Sequence, residues 1–290
     1  MKTLRITGVP EHFNFPFRLL FEQQPFLSQG IKIDWKEESR GSGQMNLDLR
    51  NGDTDVAILL TESFLKDFEA RNPSKMIGFH VTSPLVWGIH VGQNSGISSL
   101  SDLHEKKILV SRMGSGSHLM AMVLAKRENW DASSLTYELV GNMEGAEKAM
   151  DAGSKGIFLW EKYTTAPMVE KGKMNRIGEI PSPWPCFVMV ASETAISAFG
   201  EAIFEMRNEI YRLSELLCQS ENLAELLALE YQLDPTNVRE WLNQTSWCTK
   251  EEVSRSVLEE SIQKMKELKI LSGDLELGSF LELGHLRIVD

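Results

Sequence analysis

Two Gly/Ser loops, each set between a strand-like and a helix-like segment, constrain this chain more than any other feature. The first is Arg40-Gly41-Ser42-Gly43-Gln44 and the second is Arg112-Met113-Gly114-Ser115-Gly116-Ser117-His118. Glycine lets a ligand approach bare backbone, and the start of the following helix offers N–H groups with no partner inside the helix. A single loop of this kind is an ordinary turn in most proteins. A pair, one in each of two strand–helix cycles, implies two lobes facing a shared cleft.

The first cycle reads as strand Leu4–Val9, helix Phe15–Phe26, strand Ile31–Trp35 and a short helix Gln44–Arg50 ended by Asn51-Gly52. Strand Asp55–Leu60, helix Glu62–Ala70 and strand Met76–Val81 follow. A second cycle begins near residue 92, with strand Lys107–Ser111, helix Ser117–Asn129 and strand Thr136–Val140. Helix Asn142–Asp151 and strand Gly156–Trp160 complete it. Alternation with buried apolar strands predicts largely parallel sheets covered by helices. The cycles echo each other: Gly43…Asn51-Gly52…Ile58–Glu62 against Gly141…Ala152-Gly153…Ile157–Glu161.

After Ser182-Pro183-Trp184-Pro185 comes one more strand, Phe187–Ala191, and then residues from about 193 to 270 turn helical. Ile203, Met206, Ile210, Leu213 and Leu217 keep helical spacing. Asp234-Pro235 marks a helix start, and Thr249-Lys250-Glu251-Glu252 reads as a capping box. These helices are expected to cover the first lobe.

The net charge of −11 argues against a nucleic-acid partner, because phosphate binding needs concentrated Lys and Arg. A positive pocket inside an acidic shell still admits small anions. Cys186, Cys218 and Cys248 are widely spaced, so they suggest neither a zinc motif nor a disulfide framework. No metal and no cofactor is assigned. No run reaches membrane-spanning length, so no membrane insertion is expected. The N-terminus enters a strand at once without an apolar signal segment, so the expected location is cytoplasmic, or periplasmic for a protein whose leader has been removed.

Ligands of open α/β sheets sit beyond the carboxyl ends of strands. That rule selects the loops at Pro10–Asn14, Gly41–Gln44, Thr61-Glu62, Arg112–His118 and Trp160-Glu161. Arg112 with Gly114, Ser115, Gly116, Ser117 and His118 suits a carboxylate, sulfonate or phosphate. The same residues also read as a serine-capped helix beside a solvated arginine. His12 and Asn14 are ligand-binding candidates, or a surface histidine and a helix cap. Ser42, Gly43 and Thr61 complete the first-lobe loops. Glu62 and Glu161 hold matching places in the two cycles. They would take an amine or other N–H donor, pair with Arg112, act as an acid–base pair, or simply sit at helix starts. Trp160 and Trp184 are the aromatic walls expected at the cleft; Trp87 and Phe13 read as core or hinge packing.

Several segments resemble the type II periplasmic-binding-protein family. They are Leu100-Ser101-Asp102-Leu103…Lys106-Lys107-Ile108-Leu109-Val110 and Asn51-Gly52-Asp53-Thr54-Asp55-Val56-Ala57. The resemblance points to the branch of nitrate, sulfonate, taurine and thiamine-precursor binding proteins of ABC importers. Within it, Gly8–Asn14, Ser83–Gly88, Gly114–Met120 and Phe158–Lys162 look like a leaderless subgroup also found in fungi. It implies an α/β fold of two lobes with mixed, mostly parallel sheets and a helical C-terminal segment. Residues 1–88 and 189–290 would form lobe 1 and residues 89–188 lobe 2, with hinge crossings near 87–91 and 184–188. The implied function is reversible capture of a small ligand with an acidic group and a ring or amine, with an ABC permease as a possible partner. The alternative is a cytosolic enzyme on the same scaffold, similar to menaquinone- or thiamine-pathway proteins, with Glu62 and Glu161 as acid and base. The run of cysteines that marks the thiamine-pyrimidine synthases of this fold is missing.

Overall fold

The structure, a computed structural model, describes residues 1–290. The first sheet contains β1 (Lys2–Gly8), β2 (Ile31–Glu37), β3 (Val56–Leu60) and β4 (Ser74–Val81). The second contains β5 (Val86–Gly92), β6 (Lys107–Val110), β7 (Thr136–Leu139), β8 (Ile157–Glu161) and β9 (Met174–Pro181). The chain then returns to the first sheet with β10 (Phe187–Ser192). Strand orders are β2-β1-β3-β10-β4 and β7-β6-β8-β5-β9, one plan used twice. In each sheet only the fourth strand runs against its neighbours: β10 pairs antiparallel with β3 and β4, and β5 with β8 and β9. The sheets are therefore mixed and mostly parallel. The echo between Ile58–Glu62 and Ile157–Glu161 falls on β3 and β8, which hold the central place in their sheets.

The reason that the two odd strands are antiparallel is topological. Each follows a chain passage from the other sheet instead of a crossover helix, so it enters from the cleft side. The passages are residues 82–85 and 182–186. Trp87–Val91, expected at a crossing, lies inside β5. The two passages are bonded to each other: the Cys186 amide donates to the Ser83 carbonyl, the Ser182 amide to the Leu85 carbonyl, and the Leu85 amide to Ser182 Oγ.

Helices α1 (Phe15–Gln23), α2 (Ser42–Asn51) and α3 (Thr61–Glu69) accompany the first sheet. Helices α4 (Gly116–Arg127), α5 (Met143–Asp151) and α6 (Ala166–Glu170) accompany the second. Helix α2 stops where Asn51-Gly52 implies: Gly52 takes φ +74°, and its amide closes on the Asp48 and Leu49 carbonyls. Helix α1 is shorter than expected, because Gln24 adopts a left-handed conformation at its end.

The C-terminal third supplies α7 (Glu193–Phe199), α8 (Glu201–Cys218), α9 (Leu223–Tyr231) and α10 (Pro235–Gln244). Then come β11 (Glu252–Ser254), α11 (Arg255–Glu267), α12 (Leu277–Phe280) and β12 (Arg287–Val289). Asp234 caps α10 by accepting the Thr236 amide, as its Pro235 neighbour suggests. The expected capping box at Thr249–Glu252 does not start a helix. Glu252–Ser254 pairs with β12 instead, and Ser254 caps α11 by accepting the Val257 amide. Helix α8 packs on α1 and on β4, burying Ile203, Met206, Ile210, Leu213 and Leu217, which fixes the helical segment on the first lobe.

Candidate functional site

A cleft of about 490 Å³, solvent at its mouth included, lies between the two sheets. It is lined by Val9, Glu11, Arg40, Gly41, Ser42 and Leu60 from the first lobe and by Trp87, Ser111, Arg112, Ser115, Gly116, Ser117, Trp160 and Glu161 from the second. Leu85 and Phe187 close it near the passages.

Two helix starts contribute to this wall. Gly41 precedes α2 with φ +77° and offers no side chain as a cap, so the amides of the first turn lack a side-chain partner. At α4, Ser115 Oγ accepts the His118 amide at 3.4 Å, which leaves the Gly116 and Ser117 amides outside the helical ladder. Both termini carry positive dipole ends. The serine side chains also hold the scaffold: Ser42 Oγ accepts the Leu60 amide, and Ser117 Oγ accepts the Ser111 amide.

Two arginines face the same space with different electrostatics. Arg40 is neutralised by Glu38 through Nε and Nη2 at 2.8 and 2.6 Å. Arg112 has no carboxylate partner; its Nη1 donates to the Arg40 carbonyl at 3.0 Å, and burial lowers its pKa. An unpaired, partly desolvated guanidinium beside open helix amides is a demand for an anion. Gly116 has close neighbours in both lobes: a Cβ there would lie 2.5 Å from Leu60 Cδ1 and 2.9 Å from Trp87.

The opposite charge is also present. Glu161 is 3% exposed; its Oε2 accepts the Tyr163 and Thr164 amides, while Oε1 bonds nothing in the protein. Burial pushes its pKa up to about 7 against the pull of those amides. Glu11 has no hydrogen-bonded partner on its carboxyl group, and burial followed by the charge of Glu161 pushes it up to about 8.

Of the residues singled out in the sequence, Ser42, Arg112, Ser115, Gly116, Ser117, Trp160 and Glu161 line this cleft. Gly43 stands just behind it, against the Arg112 side chain. The others lie elsewhere. His12 is buried among Phe13, Tyr231 and Trp241, with its ring 4.2 Å from the Trp241 ring, and burial lowers its pKa to about 3. Asn14 holds the loop after β1 by donating to the Val9 carbonyl. Gly114 donates its amide to His118 Nδ1, and the His118 ring packs edge-on against Tyr137. Neither lines the cleft.

Thr61, Glu62 and Trp184 form a separate buried group at the second passage. The Thr61 amide donates to the Cys186 carbonyl and its hydroxyl to the Pro185 carbonyl. Trp184 Nε1 donates to Glu62 Oε2 at 2.7 Å. Glu62 Oε1 has no partner, and burial raises this carboxyl to about 7. Glu62 thus does not share the cleft with Glu161. Among the lining residues absent from the sequence-based site, Glu11 and Trp87 bear most on the chemistry. Glu11 sits in the loop the strand-end rule selected, one position before His12. Trp87 reads as hinge packing in the sequence because nothing there separates the second sheet's antiparallel strand from a crossing, whereas it lies inside β5.

Residues 87–180 match the profile of a family described as Ca3427-like PBP. No curated protein matches the chain in sequence. Among solved structures, the chain is similar to the Candida albicans CA3427 gene product, described as having the generic periplasmic binding protein structural fold. The TM-score is 0.86 at 22% identity, covering 97% of this chain and 96% of that one. It is also similar to the alkanesulfonate-binding protein SsuA from Xanthomonas axonopodis pv. citri bound to MOPS, with TM-score 0.76, 17% identity and coverage of 100% and 99%. The periplasmic aliphatic sulphonate binding protein SsuA from Escherichia coli follows with TM-score 0.66, 17% identity and coverage of 97% and 92%.

Proposed function

With the generic periplasmic-binding-protein fold as its architecture, we propose that this protein is a ligand-binding protein that closes two lobes on a small organic anion. The observation that carries this reading is the state of Arg112. Of the two cations lining the cleft, it alone lacks a carboxylate, and it stands beside the Gly116 and Ser117 amides at the start of α4. The anionic group of the ligand binds there, and Trp160 and Trp87 wall its organic part. Lobe 1 is built on the first sheet and lobe 2 on the second, so the chain changes lobe at the passages 82–85 and 182–186, a few residues before the expected bounds at 88 and 188, and these passages flex on closure. Two structural neighbours are sulfonate-binding proteins by description, which makes sulfonates the first class to try. Delivery of the ligand to an ABC permease is the role we infer from that likeness.

A thermal-shift screen against sulfonates, carboxylates, phosphonates and phosphates tests the reading. A ligand at about 100 times its dissociation constant stabilises the folded state by about 2.7 kcal/mol. A shift seen with wild type and absent in Arg112→Ala supports the site. A panel that leaves wild type unshifted, with no ligand carried through purification by mass spectrometry, contradicts it.

A further inference from the structure

The cleft holds two carboxyl groups that an anion-binding site does not need. Glu11 and Glu161 both line it, neither makes an ion pair, and the nearest lysine, Lys162, is engaged by Glu179 at 2.9 Å. Glu161 is almost fully buried and leaves Oε1 without a protein partner. A purely anionic ligand would satisfy Arg112 and leave both carboxyls without a partner in the same enclosed space. Carboxylates buried without compensation are costly unless a partner arrives or they keep a proton.

We propose that the ligand is dipolar: its acidic group binds at Arg112, and a protonated amine or similar N–H cation binds between Glu11 and Glu161. This deepens the proposed function and rests on it. Glu161 Oε1 is the acceptor that the second lobe presents, and Glu11, following β1, is the acceptor from the first lobe. A cation between them joins the lobes on that side of the cleft as an anion joins them at Arg112. Closure is then favoured only by a ligand that carries both charges.

The groups around the pair set a proton signature. Arg40 and Arg112 line the same cleft, Lys162 lies beside Glu161, and Cys186 and Glu62 lie behind, where burial first, and then the charges of Glu62, Glu161 and Glu11, raise the Cys186 thiol. Burial, joined at Glu11 by the charge of Glu161, raises both carboxyls toward neutral pH, and a cation between them favours their charged forms. Binding of a dipolar ligand therefore releases protons near pH 7, and binding of a plain anion does not.

The test uses matched pairs on the full-length protein: propanesulfonate against 3-aminopropanesulfonate, butyrate against 4-aminobutyrate, and propylphosphonate against 3-aminopropylphosphonate. Isothermal titration in two buffers of different ionisation enthalpy reads both affinity and proton release. The proposal expects at least one amine-bearing member to bind tenfold or more tightly than its isostere, with net proton release. That preference should collapse toward unity in Glu161→Gln and Glu11→Gln, while Arg112→Ala weakens both members of the pair. Equal or tighter binding of the amine-free members by wild type overturns the dipolar ligand and leaves the anion-binding cleft standing. If no member of any pair binds, the cleft reading falls and the dipolar ligand falls with it.

Discussion

The guanidinium of Arg112 fills the space beside Gly43 that a side chain would occupy: a Cβ on Gly43 would sit 1.4 Å from Nη2. One residue belongs to the second lobe and the other to the first helix turn of the first lobe, so glycine here is a condition for the lobes to meet. Gly43 lies in α2 with no positive φ, so alanine suits the helix itself. Gly43→Ala should leave the melting temperature within about 2 °C of wild type or raise it slightly, as a change of a few tenths of a kcal/mol would. Ligand affinity should fall about tenfold or more, because the displaced guanidinium loses a charge-assisted bond. Differential scanning fluorimetry and titration of the same preparation check the two halves of this prediction.

Gly116 makes the complementary case. Its absent Cβ allows Leu60 and the Trp87 ring to approach the start of α4. Leu60 stands across the cleft in the first lobe, while the Trp87 ring, 5% exposed, shares the second lobe with α4 and backs it, so a Cβ here presses on the first lobe at Leu60. Gly116→Ala is expected to prop the cleft open. Small-angle scattering should then show a radius of gyration that ligand no longer reduces, with a folded-state circular dichroism spectrum unchanged.

Buried and half-buried titratable groups give the fold a defined pH response. Glu11, Glu62 and Glu161 have folded-state pKa values raised to about 8, 7 and 7, above the ordinary carboxyl value. A raised carboxyl binds more protons in the folded state, so its contribution is complete below the unfolded pKa and is lost as pH rises through the folded one. His12, His80 and His90 are lowered to about 3, 4 and 4 by burial, so their contribution is lost as pH falls below about 6.5. Between about pH 6.5 and 8 the histidines are neutral in both states, and only the carboxyls change. The ligand-free protein should therefore lose stability across that window, by at most about 1.4 kcal/mol per pH unit for each carboxyl still protonated. Glu161→Gln should flatten the slope; an unchanged slope in chemical denaturation would remove Glu161 from this account.

The Trp184–Glu62 bond ties α3 to the second passage. Trp184→Phe keeps the ring and removes the donor, leaving both oxygens of a buried carboxyl without a partner. The expected cost is about 1–3 kcal/mol of folding stability, with a steeper loss above pH 7 because Glu62 has lost the bond that favoured its charged form. Double substitution with Glu62→Gln should recover part of the cost. Urea denaturation at pH 6 and 8 measures both.

Much of the architecture was legible because strands and helices differ in period. The strong apolar runs Val56–Leu60 and Ile157–Glu161 are central strands, and Asn51-Gly52 ends α2 in the way its backbone geometry demands. β9 is not legible, because Met174–Pro181 buries only Met174 and Ile180, and the stretch between them is mostly polar and lacks the alternation that marks a strand. The loops of the cleft were legible from the strand-end rule, and Arg112 with Ser115, Gly116 and Ser117 came with them. Which side chain of a loop faces the cleft was not. Glu11 and His12 are neighbours, yet a short turn of helix at His12–Asn14 sends the histidine into the aromatic core and leaves the glutamate in the cleft wall. Glu62 and Glu161 hold equivalent sequence places, but β8 extends to Glu161 whereas α3 already begins at Thr61, so the two carboxyls serve different surroundings.

The central claim is that Arg112 and the start of α4 bind the acidic group of a small ligand inside the cleft. Crystals soaked in 2-bromoethanesulfonate and measured at the bromine absorption edge test it most directly. The account predicts an anomalous peak between the lobes near Trp160, with sulfonate oxygens on the Arg112 guanidinium and the Gly116 and Ser117 amides. Bromine peaks confined to the outer surface, with the cleft free of sulfonate density, would contradict it.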